Sequence, residues 1–173
     1  MNGVLIEHGI DPVWNKNSRA LILGSFPSVK SRETQFFYGH PQNRFWKVLA
    51  ALFGEDTPVT VADKKSLLLS HGIAVWDVVA RCEITGSSDS SIKNVTANDI
   101  MPIIRSNRIT TVFTNGATAD RLYKKYIYPE TGIAAVRLPS TSPANAAKSL
   151  DALISDWTVV RRAVCDTENQ IKN

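Results

Sequence analysis

The chain has 173 residues, 43% of them apolar and 21% charged, which is enough for one globular domain with a full core and excludes a disordered polyelectrolyte. No apolar run approaches the roughly 18 to 20 residues of a membrane span, and residues 1–10 lack the basic start and long apolar centre of a signal peptide, so a cytoplasmic protein without membrane attachment is expected. The net charge of +4 permits a polyanionic partner without demanding one, and Cys82 and Cys165, outside any CxxC, read as free thiols that cannot by themselves complete a metal or cluster site.

Taken in chain order, Ala20 to Leu23 is a short buried-type strand ending in Gly24-Ser25. The stretch Phe36 to Trp46 packs aromatic, polar and cationic side chains just ahead of an amphipathic helix. In that helix Phe45, Val48, Leu49, Leu52 and Phe53 form one apolar stripe that closes at Gly54. A helix follows over Val61 to Ser70, then a strand over Ile73 to Val79 and a helix over Asn98 to Ser106. A third strand, Ile109 to Phe113, leads to a helix over Ala117 to Tyr126. A fourth, Ile133 to Leu138, leads to a helix over Ser149 to Ala163, with Asn98 and Ser149 as candidate caps. The alternation predicts an α/β fold, a three-layer α/β/α sandwich around a mostly parallel four-stranded sheet. Residues 1–173 read as a single domain in which 167–173 form a flexible tail.

In such folds ligands bind beyond the carboxyl ends of the strands. That gathers Gly24 to Ser28, Trp76 to Arg81, Asn115-Gly116 and Pro139 to Asn145 at one edge. The helix start at Phe45 adds exposed amides and a positive dipole end, suited to a polar or anionic ligand. No P-loop, GxGxxG, GxSxG or HExxH is present. His8, His40 and His71 are too scattered for a metal site, and Ser25 and Ser142 lack an evident His and acid pair, which argues against a serine hydrolase.

Together these segments resemble the uracil-DNA glycosylase superfamily from about Leu21 to Trp157. Gly24-Ser25-Phe26-Pro27-Ser28 is similar to its first motif. His40-Pro41-Gln42-Asn43-Arg44-Phe45-Trp46-Lys47-Val48 resembles a run of the mismatch-specific uracil glycosylases. Leu138-Pro139-Ser140-Thr141-Ser142-Pro143-Ala144-Asn145 stands where the DNA-inserting second motif belongs. With Gly72 to Val79 the wording is nearest the hypoxanthine-DNA glycosylase branch, sometimes called family six.

The resemblance implies a monofunctional DNA glycosylase that uses water to hydrolyse the N-glycosidic bond of a deaminated base, foremost hypoxanthine, and leaves an abasic site. It implies no metal or cofactor, and as partners DNA containing deaminated bases and downstream abasic-site repair enzymes; a monomer is expected. A uracil glycosylase acting on G:U mismatches and a noncatalytic damaged-DNA-binding domain are the alternatives. Where most branches carry a water-positioning Asp or Asn before the first-motif proline, this chain has Phe26, so the catalytic role passes to Asn43, which is equally suited to capping the helix. Asp77 is the candidate base reader: as a carboxylate it accepts the N1 proton of hypoxanthine and opposes the N1 lone pair of adenine, unless it only pairs with Arg81 on the surface. Tyr38 is the stacking residue, with Phe26 and Phe37 as further pocket walls or plain core. Ser28, Ser140, Thr141, Ser142 and Asn145 are candidate phosphate contacts, with Pro143 or Ala144 as wedge, although the segment also reads as a plain turn. Arg44 and Lys148, with Lys30, Arg32 and Lys47 nearby, are candidate phosphate cations or ordinary surface charges. Asn115-Gly116 is assigned a structural role, its glycine permitting close backbone approach.

Overall fold

Alternation of apolar side chains along Ala20–Gly24 divides the interior in two, because successive strand residues point to opposite faces. Ala20 and Ile22 enter one core and Leu21 and Leu23 the other. The computed structural model describes residues 3–106 and 108–170. Strand β2 (Ala20–Gly24) is central in a four-stranded parallel sheet, between β3 (Ile73–Asp77) and β6 (Thr111–Asn115), with β7 (Ala135–Leu138) at the edge beyond β6.

On one face lie α2 (Phe45–Leu52), α3 (Val61–Ser70), α7 (Leu150–Asp156) and α8 (Thr158–Gln170), contributing Phe45, Leu49, Leu68, Leu153 and Val160 to the core. Trp157, between α7 and α8, is fully buried with them and donates its indole N–H to Pro139 O at 2.9 Å. On the other face lie α4 (Met101–Ser106) and α5 (Ala117–Tyr126), together with strands the sequence pattern did not mark: β1 (Val4–Glu7), β4 (Val79–Ile84) and β5 (Lys93–Ala97), an antiparallel sheet of order β1-β4-β5. Two short helices, α1 (Val29–Thr34) and α6 (Tyr128–Thr131), and a 3-10 turn at Asp89–Ser91 complete the described elements. The expected α/β class and parallel four-stranded sheet are therefore present, with the second sheet added to one layer. None of the described helices is long and apolar enough to cross a membrane.

Several expected boundaries are corrected. The strand expected over Ile73 to Val79 divides after Asp77, because the amides of Val78 and Val79 donate to Gly24 O and Ser25 O and carry the chain across the end of β2 into β4. The helix expected over Ser149 to Ala163 breaks at Trp157, although Ser149 caps α7 by accepting from Ala152 N. Asn98 lies three residues ahead of α4, which starts at Met101, and its side-chain amide donates to Asp77 O. The expected tail from residue 167 overlaps α8, whose backbone continues to Gln170, while 171–173 lie outside the described residues.

Candidate active site

The carboxyl ends of β2, β3 and β6 open into a cleft of about 370 Å³. Its floor is built around Gly24. A Cβ at that position would lie 2.5 Å from Asp77 Oδ1 and 3.2 Å from Tyr38 Oη, so the absence of a side chain lets both polar groups crowd the strand end. Asp77 is only 4% exposed. Its Oδ2 and the Tyr38 hydroxyl are buried without a hydrogen-bond partner.

Burial, with the charge of Asp89 adding, pushes the Asp77 carboxyl up to about 7. Burial and the Asp77 charge likewise hold the Tyr38 phenol above its ordinary range, against a downward pull from the nearby Asn115 side chain. His8 stands 4.0 Å from Asp77 Oδ2 but supplies no countercharge. Its Nδ1 accepts from Ile10 N–H and its Nε2 lies 3.0 Å from Val79 O, which fixes a neutral imidazole, and burial lowers its pKa. The alternative pairing of Asp77 with Arg81 is absent: Arg81 is exposed on β4, opposite Glu7.

Tyr38 adopts φ 50, stacks one ring face on Phe45 with centroids 3.8 Å apart, and accepts the Trp46 indole N–H at its carbonyl. Asn43 also lines the cleft, one residue ahead of the helix cap. Its Oδ1 accepts from Phe45 N–H at 3.0 Å, so one side chain braces the start of α2 and fixes its own amide. Phe26 lies edge-on to His8 with the Arg32 guanidinium over its ring, and Phe37 is almost wholly buried beside Phe36; both still contribute to the cleft wall.

A model of the uracil DNA glycosylase superfamily matches residues 12–161. The chain belongs to the uracil DNA glycosylase superfamily. It is 32% identical over 160 residues to a hypoxanthine DNA glycosylase of Methanosarcina acetivorans, covering 91% of this chain and 99% of that protein. It is 34% identical over 93 residues to one of Methanosarcina barkeri, a match covering 53% of this chain and 59% of the relative. A solution NMR structure of a Methanosarcina acetivorans protein, provisionally named a uracil DNA glycosylase, superposes with a TM-score of 0.78 at 30% identity over 93% of this chain and 99% of that one.

In this superfamily member the loop from Pro139 to Ser149 is anchored rather than open, through several of the residues expected to contact DNA. Thr141, expected as a phosphate contact, is fully buried and exchanges hydrogen bonds with the Asn115 side chain, 3.0 Å from its Nδ2 and 3.1 Å to its Oδ1. Arg44, expected as a phosphate cation, instead turns its guanidinium onto the carbonyls of Asn145 and Lys148, tying the loop to α2. Lys148 pairs with Asp156, and Asn145 donates back to Ser140 O. Ser28 caps α1 by accepting from Ser31 N and donating to Ser31 Oγ. Ser140 and Ser142 accept from the amides of Ser142 and Ala144 within the loop, though both line the cleft, and Pro143 and Ala144 stand exposed at its rim. Arg44, Asn145 and Lys148 do not line the cleft, while Asn43, Tyr38, Asp77, Phe26 and Phe37 converge on it. Missed by the sequence pattern are Ser87 and Asp89, which reach the cleft from the β4–β5 connection; the adjacent Ser-Asp-Ser-Ser run reads only as a polar loop.

Proposed function

We propose that the protein is a monofunctional DNA glycosylase that releases deaminated bases, foremost hypoxanthine, from DNA. One observation carries the reading: a buried hydroxyl donor, Tyr38, and a buried carboxylate acceptor, Asp77, share the cleft floor, the hydroxyl and the carboxylate Oδ2 both without a hydrogen-bond partner. Deamination converts an amino edge into a lactam edge, with an N–H donor beside a carbonyl acceptor. The Asp77 carboxylate accepts the N1–H of hypoxanthine and the Tyr38 hydroxyl donates to O6, whereas adenine presents a lone pair and an amino group to the same two atoms. Leaving either group unpaired in the complex costs about 1–3 kcal/mol, which acts against adenine. Guanine shares the lactam edge, so these two atoms do not separate it, and its 2-amino group must be met by the walls.

The names of the relatives support glycosylase chemistry on hypoxanthine. Uracil offers the same N–H and carbonyl pattern, so base preference is the quantity to measure. Asn43 is the proposed catalytic amide. Its dipole orients the attacking water and favours the oxocarbenium-like sugar. The rim residues Pro143 and Ala144, on a braced loop, are proposed to press against the opened duplex.

The test incubates the protein, with EDTA present, on duplexes carrying one hypoxanthine, uracil or adenine, followed by alkali to cut abasic sites. Cleavage foremost at hypoxanthine and none at adenine is the expected result. Cleavage mainly at uracil moves the protein to the mismatch branch, and lesion-DNA binding without cleavage of either base marks a binding domain. Gly24→Ala is expected to lower excision by about 10- to 100-fold with the fold retained, because the new Cβ displaces the Asp77 carboxylate by about an ångström; single-turnover rates alongside circular dichroism check this.

A further inference from the structure

The first motif has Phe26 where a water-handling polar residue is otherwise expected, and Asn43, the amide across the cleft, has no site basic enough to take a proton. A carboxylate stands beside that gap. Ser25, the residue next to Phe26, donates its hydroxyl to Asp89 Oδ1 at 3.1 Å across 64 residues of sequence. The Asp89 loop is pinned to α1 at two further points, where Val29 N–H donates to Ser87 Oγ at 2.9 Å and Arg32 Nη2 to Gly86 O at 2.7 Å. Asp89 and Ser87 therefore form a held wall of the cleft that contains Asn43 and Asp77.

Asp89 is solvent-exposed at the cleft wall, and the titratable groups that interact with it are Asp77 on β3, whose buried Oδ2 has no partner, Cys82 on β4 and Arg121 on α5. Desolvation raises the Asp89 pKa, while the Ser25 hydroxyl and Arg121 pull it back, so of the two carboxylates Asp89 has the groups that favour its charged form. A negative charge here also repels a phosphate backbone, so it works against DNA binding.

We propose that Asp89 is a catalytic residue that takes the proton of the attacking water, an inference resting on the glycosylase reading above. The water oxygen forms a bond to C1′ as the bond from C1′ to the base nitrogen breaks and its electron pair leaves with the base. One water proton passes to the Asp89 carboxylate, and the departing base takes up a proton from solvent. Asn43 orients the water, and the Asp89 charge also offsets the positive sugar in the transition state.

The test measures single-turnover excision and affinity for a hypoxanthine duplex with Asp89→Asn. The expected rate falls by about 100-fold or more, while affinity is unchanged or tighter because a repelling charge is gone. The limb of the wild-type pH profile that this variant flattens is expected to persist in Asp77→Asn. Ser25→Ala, which keeps the carboxylate but frees it, is expected to lose rate by a smaller factor and decides the matter if Asp89→Asn does not fold. A rate within about threefold of wild type in the folded variants overturns the proposal, as does a parallel fall in rate and affinity. A wild type that cleaves neither hypoxanthine nor uracil overturns the glycosylase reading itself, and with it this role.

Discussion

Replacing Asn43 with alanine is expected to lower single-turnover excision of hypoxanthine by at least about 100-fold, the range in which loss of one preorganised dipole at a charged transition state falls. The same substitution removes the acceptor for Phe45 N–H, 3.0 Å from Asn43 Oδ1. It should therefore also cost about 0.5–2 kcal/mol of stability, as other losses of a helix-start acceptor do. Asn43→Asp separates the two effects, because its carboxylate still accepts from Phe45 N–H. It is expected to unfold at nearly the wild-type temperature while retaining more excision than Asn43→Ala, since an oxygen remains to orient the water. Thermal unfolding and single-turnover kinetics on both variants check this. An Asn43→Ala protein that loses stability but excises at the wild-type rate would reduce Asn43 to a brace for α2.

Asp77→Asn is expected to stabilise the fold while blunting base discrimination. A carboxyl raised from the ordinary range to about 7 withholds about 4 kcal/mol at most from the folded state at neutral pH. The sign follows from proton binding. Between about pH 4 and 7 the folded chain keeps a proton that the unfolded chain has released, so stability falls as pH rises through this window and is level above it. The Asp77→Asn variant has no proton to release at this position and lacks that dependence. Its melting temperature should exceed that of the wild type at pH 8, and the difference should shrink toward pH 5. In recognition the direction reverses, because an asparagine amide carries both a donor and an acceptor and can satisfy the adenine edge as well as the lactam edge. The ratio of hypoxanthine to adenine excision is expected to drop. In the wild type the same ratio should decline below pH 7 as Asp77 takes up its proton and gains a donor. Calorimetry across pH 5 to 8 and excision assays on the two bases test both halves, and an unchanged preference in Asp77→Asn would remove Asp77 as base reader.

Elements whose periodicity is local were legible in the sequence. The stripe from Phe45 to Phe53 is α2, the apolar run at Ala20 is the central strand, and Ala117–Tyr126 is a helix with the expected bounds. The gathering of Gly24, Asp77, Asn115 and the Pro139 loop at one sheet edge also followed, because parallel strands place their carboxyl ends together. The second sheet did not. Val4–Glu7 is a largely exposed edge strand, Lys93–Ala97 is mostly polar, and Val79–Ile84 continues the apolar run of β3, so none carries a period that separates it from loop or from its neighbour.

The residue types at the site, Asn43, Tyr38 and Asp77, were thus determined by the sequence, through motif order and the strand and helix ends that present them. What each side chain does there was decided by tertiary structure. Arg44 meets two loop carbonyls, Thr141 closes on Asn115, and Asp89 arrives beside Ser25 from a loop of the second sheet. A hydrogen-bond partner or a desolvated carboxyl depends on atoms brought together from distant segments, and local spacing carries no information about which distant groups will share that space.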